Sequence, residues 1–142
     1  MQLVDVNVMI YAHREDYTDH KRFLTWLEQW LDSDAAFGMS NLVLSGLLRI
    51  VTNPRVFQRP TPTKLALDFV DSIRTRPNCV SINPGPRHWG IFTKLCATAG
   101  VKGNLVPDAY LAAIAIESGS EWITTDRDYS RFSGLRWRHP FE

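Results

Sequence analysis

The chain has 142 residues, of which 44% are hydrophobic and 22% charged, and its formal net charge is +1 at pH 7. This length suits one well-packed domain and is too short for two of ordinary size. No apolar run reaches the roughly 20 residues that a membrane span needs, and no secretory signal is visible, so we expect a cytoplasmic protein without a membrane anchor. The small net charge gives no overall attraction to nucleic acid, so such binding must depend on local basic clusters.

Short apolar runs alternate with helical patterns along the whole chain. Turn residues bound predicted strands at residues 2–5, 35–39, 79–82, 121–124 and 135–137. Helical spacing and capping residues predict six helices. The first three cover residues 8–13, residues up to 31 after a cap at 18 or 19, and residues up to 51 after a cap at 40 or 41. The last three run from 61–63 to 74, from 87 to 99 and from Pro107 to 117. This alternation predicts an α/β fold with a parallel sheet and helices on both faces, formed by residues 1–142 as a single domain.

Four aspartates stand where the chain turns from a strand into a loop or helix. Asp5 follows the first predicted strand, Asp108 opens an apolar helix, and Asp126 and Asp128 follow the fourth strand. The carboxyl ends of parallel strands lie at one edge of a sheet, where ligands bind. Carboxylates gathered there repel one another without a cation, so the arrangement predicts a site for a hard divalent metal.

Each acid also has a structural interpretation. An unpaired charge in an apolar strand is costly, which favours a functional role for Asp5. The positive end of a helix macrodipole would stabilise Asp108 or Asp126 as first-turn acids. Thr125-x-x-Asp128 resembles a capping box, so we interpret Asp128 as a capping residue, with the holding of a metal-bound water as the alternative.

Metal-assisted phosphoryl transfer is the chemistry that uses several converging carboxylates. Mg²⁺ prefers oxygen ligands and keeps several waters, so a few aspartates and a substrate phosphate complete its shell. The metal lowers the pKa of water for attack on phosphorus and neutralises the developing charge. In this interpretation Asp5 and Asp108 ligate the metal, and Asp126 is a further ligand or orients the water. Asn7 would hydrogen-bond a ligand carboxylate or the phosphate, or else cap the helix that follows it.

Arginine suits phosphate because its guanidinium pairs bidentately with phosphate oxygens. Arg49 and Arg55 are therefore predicted phosphate contacts, although the position of Arg55 also suits a hydrogen bond to nearby backbone carbonyls. A second basic cluster lies near the end of the chain and comprises Arg127, Arg131, Arg136 and Arg138. A solvated surface is an equally good interpretation of this cluster.

Short motifs spread along the chain form an ordered set. They are Asp5-Val-Asn-Val-Met-Ile-Tyr-Ala-His, Thr52-Asn-Pro-Arg-Val-Phe, Pro86-Arg-His-Trp, Gly103-Asn-Leu-Val-Pro-Asp-Ala and Thr124-Thr-Asp-Arg-Asp-Tyr. Each is weakly specific alone, but the ordered set is specific. Together they resemble the PIN-domain ribonucleases of bacterial VapC toxins, particularly the mycobacterial-type branch, over essentially the whole chain.

This resemblance implies a three-layer α/β/α sandwich around a central parallel sheet. It also implies a Mg²⁺- or Mn²⁺-dependent endoribonuclease, the toxin of a type II toxin–antitoxin system, that cuts a loop of structured RNA such as tRNA or ribosomal RNA. The implied protein partners are a cognate VapB-like antitoxin and a second copy of the chain in a homodimer. The metal ligands of the family map onto Asp5 and Asp108, with Asp126 as the third acid.

One departure from the family pattern concerns the third helix, where many PIN domains carry a glutamate. The stretch Leu42–Arg49 contains no acid, and Leu44 and Gly46 stand at the expected positions. This absence puts a second metal in question and makes Asp128 a hypothetical substitute for the missing carboxylate.

Two other functions agree with parts of the pattern. An aspartyl-phosphate phosphatase would use Asp5 as its nucleophile, but phosphatases of the haloacid-dehalogenase type have a second Asp two positions later, where this chain has Asn7. A catalytically silent PIN-fold module that only binds RNA or a partner agrees with the missing glutamate. The retention of Asp5, Asp108 and Asp126 argues against that module, so we expect a nuclease.

Overall fold

Five parallel strands form the centre of the computed structural model, which describes residues 1–142. The strands are β1 Gln2–Val4, β2 Phe37–Met39, β3 Cys79–Ser81, β4 Glu121–Ile123 and β5 Trp137–Arg138. They lie in the order β3-β2-β1-β4-β5, and every neighbouring pair is parallel. The predicted α/β fold with a central parallel sheet is confirmed.

Six helices cover the two faces of this sheet. They are α1 Val6–His13, α2 His20–Asp32, α3 Asn41–Val51, α4 Thr63–Arg74, α5 His88–Ala99 and α6 Leu105–Glu117. The chain passes outward from β1 through β2 to β3 and then returns to β4 on the other side of β1. Because parallel crossovers are right-handed, α1 to α4 lie on one face and α5 and α6 on the other. None of the helices has the length and apolar character to cross a membrane.

The central strands β1 and β4 are buried on both sides. Leu3 pairs with Trp122 and Val4 with Ile123, and all of these side chains are at most 1% exposed. Strands covered on both faces consist of continuous apolar residues instead of alternating ones, as here. Burial of a large apolar side chain contributes roughly 1.5–3 kcal/mol, so this centre holds the ends of β1 and β4 firmly in place.

Two helix boundaries next to these strand ends differ from the prediction. Helix α1 begins at Val6 and not at Val8, because the Asp5 side chain accepts a hydrogen bond from the Val6 N–H and caps the helix. Helix α6 begins at Leu105, so Pro107 occupies its third position and not the predicted first. Proline is tolerated there because the N–H groups of a helix's first turn have no partner within the helix.

The other element ends agree with the prediction within two residues. The last strand moves from the predicted 135–137 to Trp137–Arg138. Of the two predicted caps of α3, Ser40 is the one observed, since its hydroxyl accepts a hydrogen bond from the Leu42 N–H at 3.2 Å.

Candidate active site

The strand order reverses direction at β1, and this reversal defines a crevice at one edge of the sheet. In open α/β sheets, ligands bind beyond the carboxyl ends of the strands at the point where the strand order reverses. Here that point lies between β1 and β4. Asp5 directly follows β1, and its N–H donates to the carbonyl of Ile123 at 2.9 Å. Asp126 follows β4 closely, so the two acids stand at the same crevice.

Asp5 is a buried carboxylate whose oxygens are both hydrogen-bonded. The residue is 6% exposed and forms no ion pair with a basic side chain. Its Oδ1 accepts from the Val6 N–H at 2.7 Å. Its Oδ2 accepts from the Thr124 hydroxyl at 2.7 Å and from the Asn7 amide at 3.2 Å. All of these donors are neutral, so nothing within the chain compensates the negative charge.

The surroundings of Asp5 favour its protonated form. The pKa of this carboxyl is raised from 3.8 to about 7, mainly by burial and to a smaller extent by the charges of Asp108 and Asp126, while the hydrogen bonds from Thr124 and Val6 oppose the change. A cation beside this carboxyl would favour its ionised form, so metal binding here would displace the proton.

Thr124 connects the elements of the crevice. It is fully buried directly after β4, and its hydroxyl donates to Asp5 while accepting from the Asp126 N–H at 3.0 Å and the Asn7 amide at 3.3 Å. A hydroxyl has one donor and two acceptor positions, and here all are used. Asn7 also accepts from the Thr125 N–H at 3.3 Å. Asn7 therefore makes the predicted hydrogen bond to the Asp5 carboxylate, and the alternative of helix capping is wrong.

The predicted capping role of Asp128 is also wrong. The 3-10 helix Arg127–Arg131 has Asp126 at its N-cap, and Oδ1 of Asp126 accepts from the Asp128 N–H at 2.8 Å. The expected capping box needs Thr125 at that position, but the helix begins one residue later. The Asp128 carboxylate is exposed and lies 3.5 Å from Nη2 of Arg131.

Asp108 reaches the crevice from the first turn of α6. The residue is half-buried, and its Oδ1 accepts from the Tyr129 hydroxyl at 3.4 Å. Burial raises the pKa of the Asp108 carboxyl, followed by the charge of Asp126 and more weakly that of Asp128. The Tyr129 hydrogen bond and the positive charge of Arg131 oppose this rise.

Three carboxylates on three separate segments therefore act on one another at this crevice. The donors are all oxygens, which suits hard cations such as Mg²⁺ and Mn²⁺. No three His, Cys, Asp or Glu side chains are close enough to hold a metal ion by themselves. A cation here would take water or substrate oxygens as well as carboxylates, as Mg²⁺ commonly does.

The side chains of the two arginines predicted to contact phosphate make no hydrogen bond or ion pair within the chain. Arg49 and Arg55 are exposed, and the alternative hydrogen bond from the Arg55 side chain to backbone carbonyls is not made. The arginine whose charge acts on the carboxylates is Arg131, from the second basic cluster. Thr124 and Tyr129 both lie in the motif that contains Asp126, but no pattern in the sequence predicts a role for either residue.

Helix α3 brings no acid to the crevice. Leu44 is buried in the core, 4% exposed. Gly46 lies against α1, since a Cβ atom at this position would stand 3.2 Å from Cγ2 of Val6, the residue after Asp5.

Fold and crevice together define an α/β protein with an acidic site at the switch point of a parallel sheet. The PIN domain family matches residues 3–135. Over 142 residues the chain is 42% identical to VapC ribonuclease Mb2897 from Mycobacterium bovis, covering 100% of this chain and 97% of that protein. The chain belongs to the PIN-domain family, in its VapC ribonuclease branch. The resemblance seen in the sequence motifs is confirmed.

Solved structures have the same fold at low sequence identity. The VapBC2 complex from Rickettsia felis, bound to a DNA fragment from its promoter, matches with a TM-score of 0.68 at 17% identity, covering 97% of each chain. VapC20 from Mycobacterium tuberculosis, a toxin that cleaves the sarcin–ricin loop, matches with a TM-score of 0.66 at 16% identity, covering 96% of this chain and 99% of that one.

Proposed function

We propose that this protein is a divalent-metal-dependent endoribonuclease and the toxin of a type II toxin–antitoxin system. The observation that carries the proposal is the buried Asp5 carboxylate, which stands near Asp108 and Asp126 without a basic partner. An uncompensated buried anion is destabilising, so its presence in a ligand-binding crevice indicates function. The identity of 42% to a VapC ribonuclease supports RNA as the substrate.

In this proposal Asp5 and Asp108 ligate Mg²⁺ or Mn²⁺, and Asp126 is a third ligand or orients the attacking water. Such an ion, when bound, lowers the pKa of water and neutralises negative charge that develops on the phosphate oxygens. Thr124 and Asn7 hold Oδ2 of Asp5 in one orientation through hydrogen bonds of 2.7 Å and 3.2 Å. Attack of water on phosphorus would break the P–O3′ bond, with the 3′ oxygen leaving and taking up a proton, which gives a 5′-phosphate and a 3′-hydroxyl.

The proposed substrate is a single-stranded loop of a structured RNA, either tRNA or ribosomal RNA. Proteins read RNA sequence mainly in loops, because bases there are unstacked and accessible. The fold shared with a toxin that cleaves the sarcin–ricin loop agrees with such a target. Arg131, whose charge acts on Asp108, and the exposed Arg49 and Arg55 are candidates for contacts with the RNA backbone.

The proposed partners are a VapB-like antitoxin and a second copy of the chain, with action on RNA in the cytoplasm. Large apolar side chains at the surface are available for such contacts, among them Trp89 at 66%, Leu65 at 56% and Val56 at 52% exposure. The fold shared with the VapBC2 complex supports an antitoxin as a partner of this chain. Light scattering of the purified chain, alone and after co-expression with a VapB-like antitoxin, tests both partners.

Cleavage of a pool of tRNA and ribosomal RNA tests the proposed activity. The parent and Asp5→Asn are incubated with Mg²⁺, with Mn²⁺ or with EDTA, and new 5′ ends are mapped. Asp34→Asn is the control, because Asp34 is exposed and makes no side-chain hydrogen bond or ion pair. We expect discrete cuts that need metal and disappear only in Asp5→Asn. Equal cutting by Asp5→Asn would overturn the proposal.

A PIN-fold module that binds RNA without cutting it is the second candidate. The absence of any acid from α3 favours it, since fewer carboxylates are then available to a metal. The same experiment separates the two functions. A folded parent that retains RNA on a filter but yields no new 5′ ends with either metal would favour the binding module.

A further inference from the structure

Tyr129 forms part of the floor of the carboxylate crevice. It belongs to the 3-10 helix Arg127–Arg131 and is 1% exposed. Its ring packs against Trp122 at 5.6 Å and against Phe132 at 5.8 Å, measured between ring centroids. Aromatic neighbours on two sides fix the plane of the ring, so the position of the hydroxyl is fixed as well.

The Tyr129 hydroxyl makes one hydrogen bond within the chain, to Oδ1 of Asp108 at 3.4 Å. This is also the only hydrogen bond that the Asp108 side chain makes, so Oδ2 of Asp108 has no partner within the chain. The bond joins α6 to the segment after β4, and these two segments carry Asp108 and Asp126. No other hydrogen bond within the chain orients the Asp108 carboxylate.

We propose that Tyr129 is a positioning residue, whose hydroxyl orients the Asp108 carboxylate so that Oδ2 is available to a divalent cation. The inference rests on the proposed role of Asp108 as a metal ligand. Groups that hydrogen-bond a ligating side chain orient it, and their loss commonly lowers metal affinity 10- to 100-fold.

Packing alone does not account for the hydroxyl. A phenylalanine would fill the same space against Trp122 and Phe132, so the oxygen adds only the contact with Asp108. A phenol is also a suitable donor beside several carboxylates, because it remains neutral and does not neutralise the charge that a cation needs.

Calorimetric titration with Mn²⁺ tests the role without any activity measurement. We expect Tyr129→Phe to weaken Mn²⁺ binding by about 10-fold or more relative to the parent. Tyr110→Phe is the matched control, because Tyr110 lies on α6 two residues after Asp108 but its hydroxyl makes no hydrogen bond. If the parent binds Mn²⁺ and Tyr129→Phe binds it with equal affinity, the positioning role is overturned and the metal site stands. A parent that binds no Mn²⁺ would overturn the metal assignment itself, and the positioning role with it.

A second measurement, made with a chelator present so that no metal is bound, tests whether the Tyr129 hydroxyl acts through Asp108. The change in melting temperature caused by Tyr129→Phe is measured in the parent and in an Asp108→Ala background. If the hydroxyl acts through Asp108, the change present in the parent disappears when the carboxylate is absent. The same change in both backgrounds would show that the hydroxyl acts elsewhere and would overturn the proposal.

Discussion

The Thr124 hydroxyl donates to Oδ2 of Asp5 at 2.7 Å while it accepts from the Asp126 N–H at 3.0 Å. One fully buried hydroxyl thereby joins the ends of β1 and β4, the two strands that flank the switch point. The carboxylate of Asp5 and the backbone of Asp126 are set relative to each other by this atom and not by direct contact. The geometry of the crevice therefore depends on a residue that carries no charge.

Thr124→Val is expected to reduce RNA cleavage by about 10- to 100-fold, because it removes the group that orients a metal ligand. Valine has nearly the same shape but leaves the Asp126 N–H without its acceptor, at a cost of about 1–3 kcal/mol in the free energy of unfolding. Cleavage rates over a range of Mn²⁺ concentrations and urea unfolding in EDTA measure the two effects.

Thr125→Val is the control for this substitution. Thr125 is the next residue, half-buried, and its hydroxyl makes no hydrogen bond within the chain. We expect it to retain the parent's cleavage rate and Mn²⁺ dependence. Similar losses in both variants would show that the segment tolerates no change, and that the Thr124 hydroxyl has no particular role.

The raised pKa of Asp5 predicts how stability depends on pH when no metal is bound. The pKa of its carboxyl is about 7 in the folded chain and 3.8 in the unfolded chain, so the folded chain binds more protons between these two pH values. Stability from this group is fully present below pH 3.8 and is lost as pH rises through about 7. Each pKa unit corresponds to about 1.4 kcal/mol, so the loss is on the order of 4 kcal/mol.

Melting temperatures from pH 4 to pH 8 in EDTA check this prediction. We expect the parent to lose stability over this range relative to Asp5→Asn, which has no charge to bury. Mn²⁺ added at pH 8 in excess over EDTA should restore the stability of the parent but not that of Asp5→Asn, because a ligand that binds only the folded state stabilises it. Parallel pH profiles of the two proteins would contradict the prediction.

The sequence was sufficient to predict the α/β fold and the edge of the sheet where the acids meet. Continuous apolar runs such as Leu3-Val4 and Trp122-Ile123, alternating with helical patterns, predict buried parallel strands, and an acid after each run then lies at the carboxyl edge. The order of the strands was not needed for this conclusion, because all carboxyl ends of a parallel sheet lie on the same edge.

Side-chain hydrogen bonding within the crevice could not be predicted in the same way. A threonine at the end of a buried strand looks like any other β-branched core residue, so the hydroxyl of Thr124 gave no signal. Tyr129 likewise reads as an aromatic core residue. The capping role of Asp128 failed because the start of a short 3-10 helix is set by Asp126, one residue later than the motif suggested.

Asp128 is expected to be dispensable for metal binding. Its carboxylate is exposed and pairs with Arg131 at 3.5 Å, and exposed pairs of this kind contribute about 1 kcal/mol or less. We predict that Asp128→Asn retains the Mn²⁺ stoichiometry and the cleavage rate of the parent. A fall in stoichiometry, measured by calorimetry, would instead make Asp128 the substitute for the carboxylate that α3 lacks.

Arg131 is predicted to contribute to RNA binding more than to the chemical step. Its positive charge acts on Asp108, and its guanidinium is partly exposed beside Asp128, so a phosphate at the crevice could replace Asp128 as its partner. We expect Arg131→Gln to raise KM with little change in kcat. Loss of one phosphate contact should also flatten the dependence of log affinity on log salt by about 0.7 for single-stranded RNA.

Arg127→Gln separates this effect from a general loss of positive charge. Arg127 belongs to the same 3-10 helix, but its side chain is 72% exposed and pairs with Glu142. Both variants lower the net charge by the same amount, so long-range attraction to RNA changes equally in the two. If RNA affinity, measured from low to high salt, changes equally in both, Arg131 makes no specific phosphate contact. A flatter salt dependence in Arg131→Gln alone indicates that a phosphate binds beside Asp108.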